Sequence, residues 1–353
     1  MFTKLELDPT DGSSCKCKIT TTFPLLTIYS LDCQNDLSKS ITKPNNKSKL
    51  FLMREAPQTL FPKLFKAWKI THLVFEKDTD AYARFKDADI LKAAESAGVE
   101  VIIKSGRTLW DSDELVKKNH GKPTMSISQV QAAGPKIAAI PRPIPAPKSI
   151  PDPGETKLDF EQQQPEQTPG FNSGSRNHCD KSYENVSGPQ GDFAVPTTEE
   201  LGFPAATSPH RGGETIALKM LDKIIADYDY TATFEKPNTA PTAFDPQATT
   251  LLSPQLHFGS LSVREFYWRV QDAVDNYPGK ASQPPVSLMG QLLFREMYFG
   301  AQASLGYFFG QTMCNSHCRF VPWHLPSKVN HTTKIVTGKY HVDSPEVKEW
   351  FQR

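Results

Sequence analysis

Residues 248–296 open with Ala248-Thr-Thr-Leu-Leu-Ser-Pro-Gln-Leu-His-Phe-Gly-Ser-Leu-Ser262 and close with Leu288-Met-Gly-Gln-Leu-Leu-Phe-Arg-Glu296, and the rest of the chain is placed relative to them. Hydroxyls recur at Thr249, Thr250 and Ser253, and Pro254 follows Ser253 directly. A serine before a proline suits an N-cap and a first helical position, so a helix is expected to begin there. Its unpaired N–H groups and positive dipole end would face the threonines, which favours a phosphate or another anion. Ordinary capping is the commoner use of such a pattern. On local sequence alone both readings stand.

Working outward, Ser262-Val-Arg-Glu265 reads as a capping box opening a second helix, with Val263, Phe266, Tyr267, Val270 and Val274 at helical spacing as a core face. After a proline-containing loop, Ser287 starts a third helix. On it Gln291, Arg295, Tyr298 and Gln302 form a polar stripe, while Leu288, Leu292 and Phe299 lie on another face. Arg295 and Glu296 can equally be read as solvated or paired side chains. Upstream, Gly212-Gly-Glu-Thr-Ile-Ala-Leu218 begins a helix with an apolar face of Ile216, Ala217, Met220, Leu221, Ile224 and Ile225. The second half of the chain is therefore expected to be mainly helical.

The first half has a different texture. Leu50–Met53, His72–Phe75 and Val99–Ile103 are short apolar runs suited to buried strands, and between them Thr59–Trp68 and Ala81–Ala97 carry helical periodicity, with Gly98 as the stop. Strand, helix, strand, helix, strand predicts a parallel sheet. Ligands of such sheets lie beyond the strands' carboxyl ends, here Glu76–Asp80 and Lys104–Thr108. No Gly-x-Gly-x-x-Gly or Walker loop stands there. Before Pro44 one apolar run, Phe23–Tyr29, suggests a strand without a partner, and residues 1–44 are expected to be disordered or outside the fold.

With 353 residues the chain has room for two cores. Its net charge of +1 produces no global field for nucleic acid, so any such binding must rest on a local basic patch. Residues 141–196 hold ten of the 29 prolines, including the alternating Pro141–Pro147 run. This stretch reads as a linker, extended at its start, in which a docking motif for a proline-reading module competes with a plain spacer. Cys15, Cys17, Cys33, Cys179, Cys314 and Cys318 form no paired metal set, and His317 between the last two does not complete one. Neither a signal peptide nor a long apolar span is visible, so a reduced intracellular setting, nucleus or cytoplasm, is expected, without a membrane partner.

Three phrases now occur together: Gly212-Gly-Glu-x-x-Ala-Leu218, Leu252-Ser-Pro-x-Leu-x-Phe-Gly-x-Leu-Ser262 and Pro284-Pro-x-Ser-Leu-x-Gly-Gln-Leu-Leu-Phe-Arg-Glu296. With Phe61-Pro-x-Leu-Phe65, Ala97-Gly-Val-Glu-Val101 and Thr108-Leu109 upstream, they resemble the cryptochrome/photolyase family, nearest its animal-cryptochrome and (6-4) photolyase branch. The resemblance runs from about Asn46 to Trp323, less the linker, and resumes faintly at Glu346–Arg353. It implies a fold of two parts: an α/β antenna domain with an incomplete parallel sheet at 45–140 and, at 197–353, the first half of an all-α FAD-binding domain, joined by the 141–196 linker. By the same resemblance Thr249, Thr250, Leu251, Leu252 and Ser253 contact FAD phosphates, and Gln291 lies beside the flavin, where lesion-recognising members also meet damaged bases. Phe294, Arg295 and Glu296 belong to the cofactor-side helix, Phe294 standing where the family usually has Trp. A second antenna chromophore of folate or deazaflavin type is a further implication, as are UV-damaged DNA or signalling proteins as partners.

Two departures qualify this. Residues 1–44 do not resemble the family's opening strand, and the chain stops where the family's flavin domain is about half complete. Ser344-Pro-Glu346 starts a helix whose face of Val347, Trp350 and Phe351 ends after about two turns. Weak or absent FAD binding is thus expected, and no catalytic residue is assigned. The rival reading is a non-catalytic interaction protein or a gene-model fragment of a photolyase homologue.

Overall fold

A computed structural model describes residues 22–48, 50–53, 55–161, 188–189, 210–236, 249–306, 326–329 and 336–340. Residues 197–203, the Cys314–Cys318 cluster and the Ser344 helix start lie outside these.

The α/β unit contains α2 (Pro57–Ala67), β1 (His72–Glu76), α3 (Ala81–Ser96) and β2 (Glu100–Lys104). β1 and β2 pair in parallel with His72 opposite Glu100 and Glu76 opposite Lys104. Each helix starts and stops for a legible reason. Pro57 opens α2, the Asp80 carboxylate accepts the Tyr82 and Ala83 N–H groups at the start of α3, and Gly98 at φ +69° follows its end. Phe65, Ala94 and Val99 form the small core of this unit, with Phe61, Leu73 and Val101 packed on it. Among the described residues the sheet has two strands and not the expected three. Leu50–Met53 makes only an isolated bridge at Phe51, whose ring instead tilts against Trp68 at 5.8 Å. Four apolar residues do not specify a strand when an aromatic partner competes for the largest of them.

Residues 22–42 correct the expectation of a strand-like or disordered start. They form one helix, α1 (Thr22–Thr42), which packs on α6 (Glu214–Ala226), with Leu31 and Ser38 buried. The coupling is electrostatic as well as apolar. α6 starts at Gly213, φ +109°, and so has no side-chain cap of its own. Asp36 of α1 replaces it, its two oxygens accepting the Thr215 N–H (2.7 Å) and hydroxyl (2.8 Å). Asp32, one turn earlier, holds both arms of Arg211 and the Gly212 N–H. Asp36→Ala should lower the denaturant midpoint by the equivalent of about 1 kcal/mol, the usual cost of a lost N-cap. An unchanged midpoint would mean that α1 does not cap α6.

The main core draws on both sides of the proline-rich stretch. Leu115 of α4 (Ser112–Lys118) and Ile127, Val130 and Ala133 of α5 (Ile127–Ala133) join Ala217 and Leu221 of α6. Phe234 follows α7 (Tyr228–Thr233) into it, and Leu252 precedes α8 (Ser253–Phe258). Val263, Phe266 and Val270 of α9 (Val263–Asp275) and Leu288, Leu292, Leu293 and Met297 of α10 (Leu288–Leu305) complete it. The predicted faces of α9 and α10 are the buried ones, whereas Ile216 of α6 is more than a third exposed. Ser262 accepts only the Glu265 N–H at 3.4 Å, and the full reciprocal capping box is at Ser126 and Gln129, opening α5. Beyond α10, β3 (Pro326–Val329) and β4 (Val336–Tyr340) pair antiparallel.

Candidate functional site

α10 is the element on which the site is built. Ser287 caps it by accepting the Gly290 N–H at 3.1 Å, and Gly290 brings the first turn hard against Pro285. Its predicted polar stripe divides in the structure. Gln291 donates to the Pro285 carbonyl at 3.3 Å, Tyr298 is 66% exposed, and Gln302 accepts the Thr79 hydroxyl at 2.6 Å. Phe294 packs half-buried on the main core.

Arg295 and Glu296 turn toward the carboxyl ends of β1 and β2. The Arg295 guanidinium donates to the carbonyls of Arg107 and Leu256 and lies 4.6 Å over the Phe299 ring. Arg107 in turn pairs with Asp78 and donates to the His257 carbonyl at 3.1 Å, while Arg264 of α9 donates to Ser105 O at 3.2 Å. The strand-end loops are thereby tied to α8, α9 and α10. Burial, then the Arg107 and Arg295 charges, push the His257 imidazole down.

At the centre of this joint Glu296 is 1% exposed. One carboxyl oxygen accepts the Leu109 N–H at 2.9 Å; the other has no hydrogen-bond partner among the described residues, and Arg295 lies 3.6 Å from it. Burial pushes the carboxyl up to about 8, against the opposing pull of Arg295, the backbone amides of Leu109 and Trp110, and Arg264. The nearby Arg264 Nε is also buried without a hydrogen bond. This is a joint of high internal cost, and the solvated reading of Glu296 is corrected: an adjacent Arg–Glu pair is ordinary on a helix surface, and only tertiary contact shows it covered.

The hydroxyl segment lies just before α8. Here Leu251 takes φ +52°, a left-handed conformation uncommon for a leucine, and the Leu252 N–H points back to Thr250 Oγ1 at 3.5 Å. Leu252, not Ser253, is the N-cap residue, and no side chain caps the helix. Ser253 stands inside the first turn and is exposed. The opening of α8 therefore presents an uncapped first turn beside the hydroxyls of Thr250 and Ser253, a donor set that fits an anionic phosphate group. Thr249 is exposed, and Leu252 is in the main core. Arg107, Arg264 and His257 are absent from the residues singled out by sequence. For Arg107 the strand-end rule pointed to the right loop; for Arg264 and His257 no local pattern marks a long-range contact.

Comparison with known proteins follows from this geometry. Residues 27–148 match the DNA photolyase family model. Over 299 residues the chain is 34% identical to cryptochrome-2 of Gallus gallus, covering 84% of this chain and 46% of that protein. It is 33% identical to the (6-4)DNA photolyase of Arabidopsis thaliana, covering 84% of this chain and 48% of the relative. Over most of its own length the chain is similar to cryptochromes and to a (6-4) photolyase. It spans about half the length of these relatives. In fold it is similar to a cryptochrome of Synechocystis, with a TM-score of 0.54 at 17% identity over 82% of this chain and 54% of that one. A class III photolyase of Agrobacterium tumefaciens gives a TM-score of 0.53 at 16% identity over 79% of this chain and 50% of that one. The family match starts at residue 27, inside α1, so the view that residues before Asn46 lie outside the resemblance is corrected. Among the described residues no helix is long and apolar enough to cross a membrane, and no cluster of metal-ligating side chains is present.

Proposed function

We propose that this chain is a flavin-dependent member of the cryptochrome/photolyase family, with FAD phosphates received by Thr249, Thr250, Leu251, Leu252 and Ser253 and the flavin side met by Gln291 and Phe294. The observation that carries this reading is the opening of α8, where a left-handed Leu251 and two hydroxyls stand before a first turn that no side chain caps. A backbone strain of about 1–3 kcal/mol at a polar turn is the kind of feature that persists at ligand sites. Bound FAD supplies a light-absorbing centre able to give or take an electron. The chain's own residues bind and orient it: the Thr250 and Ser253 hydroxyls and the uncapped amides hold negative charge, and Gln291 offers an amide from α10. Arg295 and Glu296 act from behind, holding α8 and α10 against the strand-end loops. Those loops direct their polar groups to the helices, so a second chromophore of folate or deazaflavin type is not assigned to the strand ends.

The partners we infer are DNA carrying UV lesions or signalling proteins, met in the nucleus or cytoplasm. The support is the kinship with a (6-4)DNA photolyase and with cryptochromes. FAD titrated into the purified chain, read by flavin fluorescence, tests the cofactor. The Thr250→Ala, Ser253→Ala double variant should weaken binding by roughly tenfold, as expected for two lost hydrogen bonds to a charged group. Equal affinity in variant and wild type, or no binding by the wild type, would overturn the assignment.

A further inference from the structure

The proline-rich strap has a chemistry of its own. After α5 and its following 3-10 turn (Gly134–Lys136) the chain runs without regular structure from Ile140 to residue 161. It is moored at both ends of its alternating-proline section. On one side the Trp268 indole N–H donates to Pro141 O at 3.0 Å, and Arg142 lies 4.0 Å over the Trp268 ring while its fork donates to both oxygens of Asp272 at 2.6 and 2.8 Å. On the other, Asn45 donates to Ile150 O at 3.1 Å and to Asp152 at 2.9 Å, and Lys47 pairs with Asp152. Between these moorings no hydrogen bond joins residues 143–149 to another described residue, and all but Pro143 are exposed. Ile144, at 91%, is the most exposed large hydrophobic side chain among the described residues.

Pro141, Pro143, Pro145 and Pro147 each fix their own φ and push the residue before them toward extended geometry. The section is thus confined to the polyproline region, where about three residues make a turn and Pro141, Ile144 and Pro147 fall on one ridge. Arg142 and Asp152 are neutralised by their partners, which leaves the exposed Lys148 as the charge beside that ridge with no ion-pair partner among the described residues.

We propose that residues 143–148 are a surface-mounted docking segment for a protein domain that reads extended proline-rich chains in a groove of aromatic side chains with an acidic rim. Such a groove takes an apolar ridge of this spacing, needs no hydrogen bonds from proline, and gains from a ligand whose conformational entropy is already lost. The acidic rim is required by Lys148. A free linker would present the same residues without the two moorings.

Purified SH3 and WW domains titrated calorimetrically into the full chain provide the test. At least one should bind with a Kd below about 1 mM. Ile144→Asp should weaken that binding by roughly tenfold or more, with an unchanged circular dichroism spectrum because the side chain touches solvent. Arg142→Ala combined with Trp268→Phe leaves every ridge residue in place but removes the hydrogen bonds of one mooring, and should weaken binding a few-fold through lost preorganisation. Failure of all domains to bind below about 1 mM, or an Ile144→Asp chain that binds as tightly as wild type, overturns the proposal. Unchanged affinity in that double variant overturns the role of the moorings.

Discussion

Thermal stability of the wild-type chain is expected to fall as the pH rises from about 5 to about 8, and the Glu296→Gln variant to lose most of that dependence. Glu296 has an ordinary value of 4.5 and is held at about 8 in the folded chain. Below 4.5 both folded and unfolded states keep the proton, so the native joint has its full stability. Between the two values the unfolded chain has released the proton and the folded chain has not, so stability declines with rising pH. Above about 8 both states are ionised and the dependence ends. Each unit of separation is worth about 1.4 kcal/mol, so the loss across the window amounts to a few kcal/mol. Glutamine preserves the oxygen that accepts the Leu109 N–H and cannot ionise. The variant should therefore match wild type near pH 5 and exceed it near pH 8. Glu296→Ala, by contrast, leaves the Leu109 amide and a cavity behind and should be destabilised at every pH. Melting curves at pH 5, 6.5 and 8 decide the matter; parallel pH dependence in wild type and Glu296→Gln would refute the buried, protonated carboxyl.

Gly290→Ala should be the most damaging methyl added to any of the described glycines. A Cβ at this position would come within 2.2 Å of the Pro285 carbonyl oxygen and 2.5 Å of its carbon. Both are backbone atoms, so no rotamer change relieves the overlap; α10 must retreat from the Pro284–Pro285 loop or the loop from α10. Either movement draws Leu288, Leu292 and Leu293 out of register with the main core and breaks the Ser287 cap. Overpacking in a close-packed interior costs about 1–3 kcal/mol even where side chains can yield, and a rigid neighbour places the effect at or above the upper figure. Because Gln291 and Phe294 follow on the same two turns, FAD affinity should fall together with stability. Gly98→Ala makes a useful contrast: its φ of +69° imposes strain, but open space surrounds the site, so only a modest loss is expected. A chemical denaturation midpoint for Gly290→Ala within the range of Gly98→Ala would show that the α10 contact yields more easily than its backbone geometry implies.

The joint at Glu296 and the close approach at Gly290 place both sensitive points on α10, the helix that also carries Gln291 and Phe294. Stability and the candidate cofactor site are therefore coupled through one element. Variants of Arg107 or Arg264, distant in sequence, should act on flavin binding indirectly, because they hold the strand-end loops against that helix.

Much of this was legible without coordinates. Periodicity and capping residues marked α2, α3, α6, α9 and α10, and Ser287, Gly98 and the two strands His72–Glu76 and Glu100–Lys104 stand where local rules put them. Local rules work there because the information is short-range: a cap, a stop and an apolar face lie within a few turns of each other. They failed where the partner is remote. Phe23–Tyr29 reads as a strand fragment, yet it is part of α1, whose Asp32 and Asp36 complete the start of a helix more than 170 residues away. The hydroxyls before α8 are visible in the sequence, but that Ser253 is not the cap and that Leu251 is left-handed are properties of the folded turn. The sequence by itself determined α2, α3, α6, α9, α10 and the paired strands β1 and β2, the resemblance to cryptochromes and photolyases, and the residues offered to an anion. Only the tertiary structure decided that Arg295 and Glu296 face the strand ends in a desolvated joint, and that the proline-rich strap is moored at Trp268, Asp272 and Asn45. Burial and long-range pairing depend on which surfaces meet, and no window of neighbouring residues carries that information.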